Sequence, residues 1–340
     1  MNKAVIIIAE AGVNHNGDIN TAKKMIDFAA ISNVDFIKFQ TWITEDNIDI
    51  SAEKAEYQKV NDGIGSQFEM AKKLELSFDD FRELSRYCNV KKVKFLSTPE
   101  DKKSLDFLSD ELNLEYLKIG SGELDNIPFL RNVGKKHKDI ILSTGMANIG
   151  EIENAINELT KFGAKSITLL HCTTSYPAPL STVNLKAMNT LANTFKLPVG
   201  YSDHTVGIEI SLAAVSLGAT VIEKHFTLDK NMSGPDHTAS LDTLELSSLV
   251  KSIRNIEKAL EGNGKKEIQK IEINNKEVIR KGIYINKDLV VGDIITEDDL
   301  IYKRPALGIE LNHFDLIINK RLRTNKIKGQ PLFLKDIDFI

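Results

Sequence analysis

Val5-Ile6-Ile7-Ile8-Ala9-Glu10-Ala11-Gly12 is an apolar run that ends in a carboxylate and a glycine. A short run of this kind, without polar alternation, reads as a parallel strand buried on both faces. Seven more follow before residue 230: Val34–Thr41, Val93–Pro99, Tyr116–Gly122, Asp139–Gly145, Ile167–Thr173, Pro198–His204 and Thr220–Phe226. Segments of helical period lie between them, Asn20–Ser32 after the first run and Gly150–Phe162 after the fifth. After the eighth, Asp242 stands where an N-cap belongs, ahead of Leu246, Leu249, Val250, Ile253 and Leu260 on one face. Strand and helix alternating eight times predicts an α/β fold, a (β/α)8 TIM barrel. An open doubly wound sheet is the rival, and the count of eight favours the barrel.

The second connection, Trp42 to Lys92, is long and holds two helix-like stretches, Ser51–Lys59 and Ser66–Leu74. Excursions of that length at the C-terminal face of a barrel often form substrate loops. From Gly262 to Glu277 the composition turns to Lys, Glu, Asn and Gln, which reads as a linker. The expected division is a barrel over 1–262, a linker over 263–279 and a small, mostly β domain over 280–340. In that last domain Gly282–Ile285, Gly292–Ile295, Leu300–Lys303 and Pro331–Leu334 read as short strands, with helical turns near Thr296–Leu300 and His313–Leu316.

Composition agrees with a globular enzyme-sized protein. Of 340 residues, 42% are apolar and 27% charged, so a substantial core can form without staples. The 44 basic residues are offset by 48 acidic ones, without a block of like charge, which argues against nucleic acid as a partner. Cys88 and Cys172 are too few for a disulfide framework or a cysteine-rich zinc site. No apolar run is long enough for a signal sequence or a membrane span, so a soluble, cytoplasmic protein without a membrane partner is expected.

Side chains alternate along a strand, and a barrel's site lies at the strands' C-terminal ends. Period two then puts Glu10 and Gly12, Lys38 and Gln40, Thr98, Lys118 and Gly120, Ser143 and Gly145, Ser202 and His204, and Glu223 and His225 on inward faces, with Ser121 and Glu123 just beyond the fourth strand. An unpaired buried charge costs several kcal/mol, roughly, so polar groups at the same end of seven strands mark a site. His204 and His225 close consecutive strands and can share one metal ion, with Asp203, Glu223 or Asp236 adding oxygen; such a set suits Mn²⁺, Fe²⁺ or Zn²⁺. Lys38 and Lys118 need anions, either Glu10 and Glu123 or a bound phosphate and carboxylate. A Schiff-base lysine is the rival chemistry. Asn14-His15-Asn16-Gly17 reads as a ligand-facing loop, with a plain turn as its alternative. Strand six can be read in either phase, which leaves His171 unassigned.

In register these motifs resemble the sialic acid synthase family: Ala9-Glu10-Ala11-Gly12-Val13-Asn14-His15-Asn16-Gly17, Lys38-Phe39-Gln40-Thr41, Ser97-Thr98-Pro99, Lys118-Ile119-Gly120-Ser121-Gly122-Glu123, Ser143-Thr144-Gly145-Met146, His171-Cys172-Thr173-Thr174-Ser175-Tyr176-Pro177, Tyr201-Ser202-Asp203-His204, Glu223-Lys224-His225-Phe226-Thr227, Gly234-Pro235-Asp236-His237 and Lys303-Arg304-Pro305. The tail is similar to that family's antifreeze-like domain. The resemblance implies condensation of phosphoenolpyruvate with an N-acylated amino sugar to a nine-carbon 2-keto sugar acid and phosphate. It implies a divalent ion on His204 and His225, Mn²⁺ by preference with Mg²⁺ or Co²⁺ as substitutes, polarising the sugar aldehyde. It gives Lys38 and Thr98 to the carboxylate of phosphoenolpyruvate, and Lys118, Ser121, Ser143, Thr174 and Ser202 to its phosphate. Tyr176, Glu123 and Asp236 fall to the sugar, and Glu10 to acid–base work on the water that adds at carbon 2. Arg304 would reach the sugar's N-acetyl group in a partner's barrel, in a domain-swapped homodimer. Relatives often carry Asn at the place of Thr174 and Phe at the place of Glu100. Between sugars, the motifs favour N-acetylmannosamine, hence N-acetylneuraminate, with N,N'-diacetyllegionaminate as the alternative. A Schiff-base aldolase and a non-catalytic sugar- or ice-binding protein are the rivals of other classes.

Overall fold

A computed structural model describes residues 4–339. Met1–Lys3 and Ile340, at the ends of the two expected domains, lie outside the described residues. The chain divides into two compact units, 1–261 and 262–340.

The first unit is the expected barrel. Its strands are β1 (Ile6–Gly12), β2 (Phe36–Thr41), β3 (Lys94–Pro99), β4 (Tyr116–Ile119), β5 (Asp139–Ser143), β6 (Ser166–Cys172), β7 (Val199–Asp203) and β8 (Val221–His225). Parallel ladders join them in the order β3-β2-β1-β8-β7-β6-β5-β4, and β3 lies beside β4 at the seam. The main helices around it are α1 (Ile19–Ile31), the excursion helices α2 (Thr44–Asn47), α3 (Glu56–Asp62) and α4 (Gln67–Leu74), then α5 (Phe78–Lys91), α6 (Lys102–Asp106), α7 (Ile127–Gly134), α8 (Ile149–Lys161), α9 (Ala187–Phe195), α10 (Glu209–Ser216) and α11 (Thr243–Leu260). Asp242 caps α11 through the backbone N–H groups of Leu244 and Glu245, as its position predicts.

Two apolar shells hold the barrel. Outward strand residues such as Ile7, Ile37, Leu117 and Leu169 pack against the helices. Inward, Ile8, Phe36, Leu96, Ile141, Leu170 and Val221 plug the N-terminal end. That plug fills the lower interior as in other TIM barrels, and it sets the floor on which the next layer of side chains stands.

Three details depart from the sequence reading, and a fourth, the phase of strand six, decides what that reading leaves open. The long second connection contains α5, the ordinary barrel helix of that repeat, so the true excursion ends near Leu76. Ser77 starts α5 with a reciprocal cap to Asp80. The fourth strand stops at Ile119 because Glu123 N–H bonds back to Gly120 O, turning Ser121–Glu123 into a 3₁₀ turn. Strand six takes the phase that points Leu170 and Cys172 inward; His171 faces out, against Val183 O at 2.7 Å. Asp203 also faces out, bonded to Lys224, Thr205 and Ser211, and so cannot serve the metal.

In the second unit β9 (Gly282–Ile285) pairs antiparallel with β10 (Leu300–Lys303), and β11 (Arg321–Leu322) with β12 (Ile337–Asp338). Gly292–Ile295 and Pro331–Leu334 contribute isolated bridges through Ile294 and Pro331 rather than strands. A 3₁₀ turn at Glu297–Asp299 and the helical stretch Leu311–Ile317 stand where helical turns are expected. Ile283, Ile285, Ile295, Ile309, Ile317 and Leu332 form its core. The segment read as linker is irregular to Gln269, then carries α12 (Ile273–Ile279); α13 is Phe314–Ile317.

Candidate active site

Above the apolar plug the same alternation places charge. Glu10 stands in register with Lys38 on one side and His225 on the other. Lys38 Nζ lies 2.8 Å from Glu10 Oε2 and donates to Thr98 Oγ1 at 3.1 Å. Lys118 Nζ donates to Ser143 Oγ at 2.7 Å and to Ile119 O at 3.2 Å. Glu223 sits between the lysines, 3.8 Å from Lys38 and 3.7 Å from Lys118, and accepts from Ser202 Oγ at 3.1 Å. These residues are 1–5% exposed. They line a cavity of about 190 Å³ together with Gln40, Glu100, Ser121, Met146, Cys172, Thr174, Tyr176, His204 and His225.

Backbone geometry admits the polar layer. A bulge in the β1–β2 ladder follows Glu10, and Gly12 turns there at φ +50°. A Cβ on Gly12 would stand 3.4 Å from both Glu10 Oε1 and the His225 ring. At Gly145 it would come within 2.3 Å of Thr174 Oγ1 and 2.8 Å of Ser121 Oγ, the hydroxyl that accepts from Gly145 N–H at 3.0 Å. A glycine there lets backbone and two hydroxyls converge, a cradle suited to an oxyanion.

Burial and neighbouring charges pull the titrations apart. Burial pushes Glu10 up to about 7 despite Lys38. Burial raises Glu223 too, but the two lysines outweigh it and hold it below its ordinary range. Lys118 is depressed by burial; Lys38 is raised because Glu10 and Glu223 overcome its burial. Two ammonium groups against one firm carboxylate and one titrating near neutrality leave the floor electropositive, ready for a multiply charged anion.

His204 and His225 face one another with ring centroids 5.5 Å apart, and Tyr176 lies 4.1 Å from the first. His204 Nδ1 donates to Thr173 O at 2.8 Å, leaving Nε2 as a lone-pair donor. Burial lowers both imidazoles, so both are neutral and able to ligate. His225 Nδ1 is buried without a hydrogen bond, 3.8 Å from Asp236 Oδ2. Among the described residues no cluster of three or more His, Cys, Asp or Glu has metal-site geometry. The protein therefore offers two nitrogens, and oxygen from water or substrate would complete a coordination sphere. That donor set fits a divalent ion.

Residues 25–266, most of the barrel unit, match the model of the NeuB family. The chain belongs to the NeuB family. Residues 280–338 match the SAF domain. The NeuB chain is 54% identical over 97% of its length to the N,N'-diacetyllegionaminic acid synthase of Campylobacter jejuni, covering 99% of that protein. It is 45% identical over 98% of its length to the synthase of the same description from Legionella pneumophila, covering 94%. The crystal structure of N-acetylneuraminic acid synthetase from Leptospira borgpetersenii is similar at 38% identity and TM-score 0.71, covering 80% of this chain and 90% of that one.

Within this NeuB barrel, Glu10, Lys38, Lys118, Thr98, Ser121, Ser143, Thr174, Tyr176, Ser202, His204 and His225 share one cavity. Asp236 stands behind His225, and Glu123 accepts from Asn126 at 2.6 Å, pairing with neither lysine. Arg304 lies in the second unit, just after β10. Glu223 is the residue whose role the sequence reading missed. The inward phase of β8 marks it, but only geometry separates an ion-pair hub from a metal ligand. The Asn14-His15-Asn16-Gly17 loop is a clasp: Asn14 donates to Phe226 O and Ser240 Oγ, and Asn16 to Ser233 O, tying the turn after β1 to that after β8.

Proposed function

We propose that this protein is an N,N'-diacetyllegionaminate synthase, condensing phosphoenolpyruvate with 2,4-diacetamido-2,4,6-trideoxymannose and water. The observation that carries it is the 54% identity, end to end, to a synthase of that description. The motif-based preference for N-acetylneuraminate gives way to this reading, because those motifs serve chemistry common to both sugars while identity across the whole chain includes the sugar-facing loops.

In this reading Lys38 and Thr98 hold the carboxylate of phosphoenolpyruvate, and Lys118 and Ser143, with Ser121, Thr174 and Ser202, hold its phosphate. Glu223 keeps the two ammonium groups apart and charged. His204 and His225 hold a divalent ion, Mn²⁺ by preference with Mg²⁺ or Co²⁺ as substitutes, which when bound supplies Lewis-acid polarisation of the sugar aldehyde. Tyr176 and the two imidazoles wall the side on which carbon 3 of phosphoenolpyruvate meets that aldehyde. Glu10, titrating near the working pH, accepts the proton of the water that adds at carbon 2. Lys118 and Ser143 then stabilise the phosphate as its bond to carbon 2 breaks. Arg304 of the SAF domain completes the sugar site in the barrel of a second copy.

The test is phosphate release from phosphoenolpyruvate with each sugar, with products identified by mass spectrometry. The expected result is a kcat/KM for the diacetamido sugar at least about tenfold above that for N-acetylmannosamine. Equal or reversed preference returns the reading to N-acetylneuraminate. Borohydride with a keto acid should trap no protein adduct; trapping at Lys118 would indicate an aldolase.

A further inference from the structure

The inward face of β3 runs Leu96, Thr98 and then Glu100. Leu96 belongs to the apolar plug and Thr98 to the lysine layer. Glu100 N–H bonds Thr41 O at 3.0 Å, which carries the β2–β3 ladder one residue further and fixes Glu100 as a third, upper layer at the cavity rim. Its carboxylate is half-buried and, among the described residues, has no ion pair. Its one side-chain partner there is Asn47 of the excursion helix α2, whose Nδ2 donates to Oε2 at 3.1 Å. Asn47 and Glu100 come from separate elements; Glu100 lines the active-site cavity, and Asn47 stands directly behind its carboxylate, lining a neighbouring cavity with Glu45, Ile48 and Phe68.

The anionic substrate does not call for this carboxylate. Phosphoenolpyruvate belongs on the cationic floor, and a rim carboxylate repels it. Burial and the nearby Glu123 hold Glu100 up at about 7, an unfavourable placement unless a donor comes to it. The sugar is neutral and brings N–H and O–H donors. Glu100 Oε1 is a free acceptor, and Asn47 keeps one N–H and its carbonyl. An acceptor beside a donor matches the two faces of a secondary amide, its N–H and its C=O.

We propose that Glu100 and Asn47 are specificity-determining residues that recognise the sugar's second acetamido group, Glu100 accepting from its N–H and Asn47 donating to its carbonyl. This rests on the legionaminate reading. A site that hydrogen-bonds an amide rejects the hydroxyl analogue, because it leaves buried polar groups unmatched.

The experiment compares two 6-deoxy sugars that differ only at carbon 4, 2,4-diacetamido-2,4,6-trideoxymannose and 2-acetamido-2,6-dideoxymannose, with wild type, Glu100→Leu, Glu100→Gln and Asn47→Ala. The wild type should prefer the 4-acetamido sugar. Glu100→Leu should reduce that preference by about 10- to 100-fold, chiefly through the sugar KM, with the KM for phosphoenolpyruvate held within about threefold. Glu100→Gln, which retains an acceptor, should recover part of the preference, and Asn47→Ala should lose about tenfold. Asn47 lies near the surface on a one-turn helix, so its variant reports even where Glu100→Leu fails to fold. A wild type that prefers the 4-acetamido sugar, with that preference unchanged in folded Asn47→Ala and Glu100→Gln, overturns the role of this pair alone. A wild type without the preference overturns the legionaminate reading and the pair's role with it.

Discussion

At Glu10 burial and charge pull in opposite directions, and the balance near 7 sets an expected pH profile. A base acts only when deprotonated. In the free enzyme kcat/KM should therefore rise tenfold per pH unit below about 7 and level off above it. Glu10→Gln should lower kcat by about 10²–10⁴-fold and remove that inflection; an inflection that survives in the variant assigns it to another group. Water attack at carbon 2 also dictates which bond breaks. Phosphoenolpyruvate carrying ¹⁸O at the bridge should release labelled phosphate, whereas label retained in the keto acid would mean phosphorus–oxygen cleavage and no role for Glu10 as stated. His204→Ala and His225→Ala each delete half of the nitrogen donor set. Elemental analysis after Mn²⁺ loading and desalting should show about one ion per wild-type chain and far less in either variant, with the melting temperature of the metal-free proteins little changed. Equal metal content in all three would place the ion elsewhere.

Among the elements, the turn after β1 shows how position in a fold turns motif residues into structure. His15 is buried, its Nδ1 accepts from Gly17 N–H at 3.1 Å, and burial pushes its pKa down to about 4 from an ordinary 6.5. Between those values the unfolded chain binds a proton that the folded chain does not. The stability His15 permits is therefore complete above about 6.5 and is lost as pH falls toward 4, by about 3 kcal/mol at the low end. Trp42 packs with Val13, two residues from His15, and reports on this region. Urea unfolding followed by its fluorescence should show the wild type losing about 2 kcal/mol or more relative to His15→Gln between pH 7 and 4.5; parallel losses would refute the assignment. The strands and most inward residues were legible because period two and apolar runs record burial directly. Helix α5 was not: its charged sequence, Phe78–Lys91, keeps only Phe81, Leu84 and Cys88 in the core and sits within an already irregular connection. The phase of β6 was ambiguous because both of its faces are largely apolar. Glu223 could be seen to point inward, but whether a carboxylate there meets lysines or a metal depends on the stagger between strands, which no single strand encodes.

For the whole molecule, the proposed role of Arg304 in the barrel of a second copy has a consequence that mixed dimers read out. The irregular stretch from Gly262 to Gln269 reaches roughly 15 Å as a flexible coil, and α12 follows it as a short stiff segment. Action of Arg304 on another copy's barrel and action on its own give different results when defective chains are mixed. Glu10→Ala disables the barrel and leaves the tail intact; Arg304→Ala does the reverse. In an exchanged dimer, the intact barrel of the second variant is completed by the intact tail of the first, so one of two sites works. With half the dimers mixed at equal input, activity should return to about a quarter of wild type. If Arg304 acts on its own barrel, every site in a mixed dimer keeps one defect and no activity returns. Native mass spectrometry separates the cases cleanly: mixed dimers present, each parent inactive and no recovery would overturn the exchanged arrangement, while recovery that tracks the mixed-dimer fraction can come only from sites built by two chains.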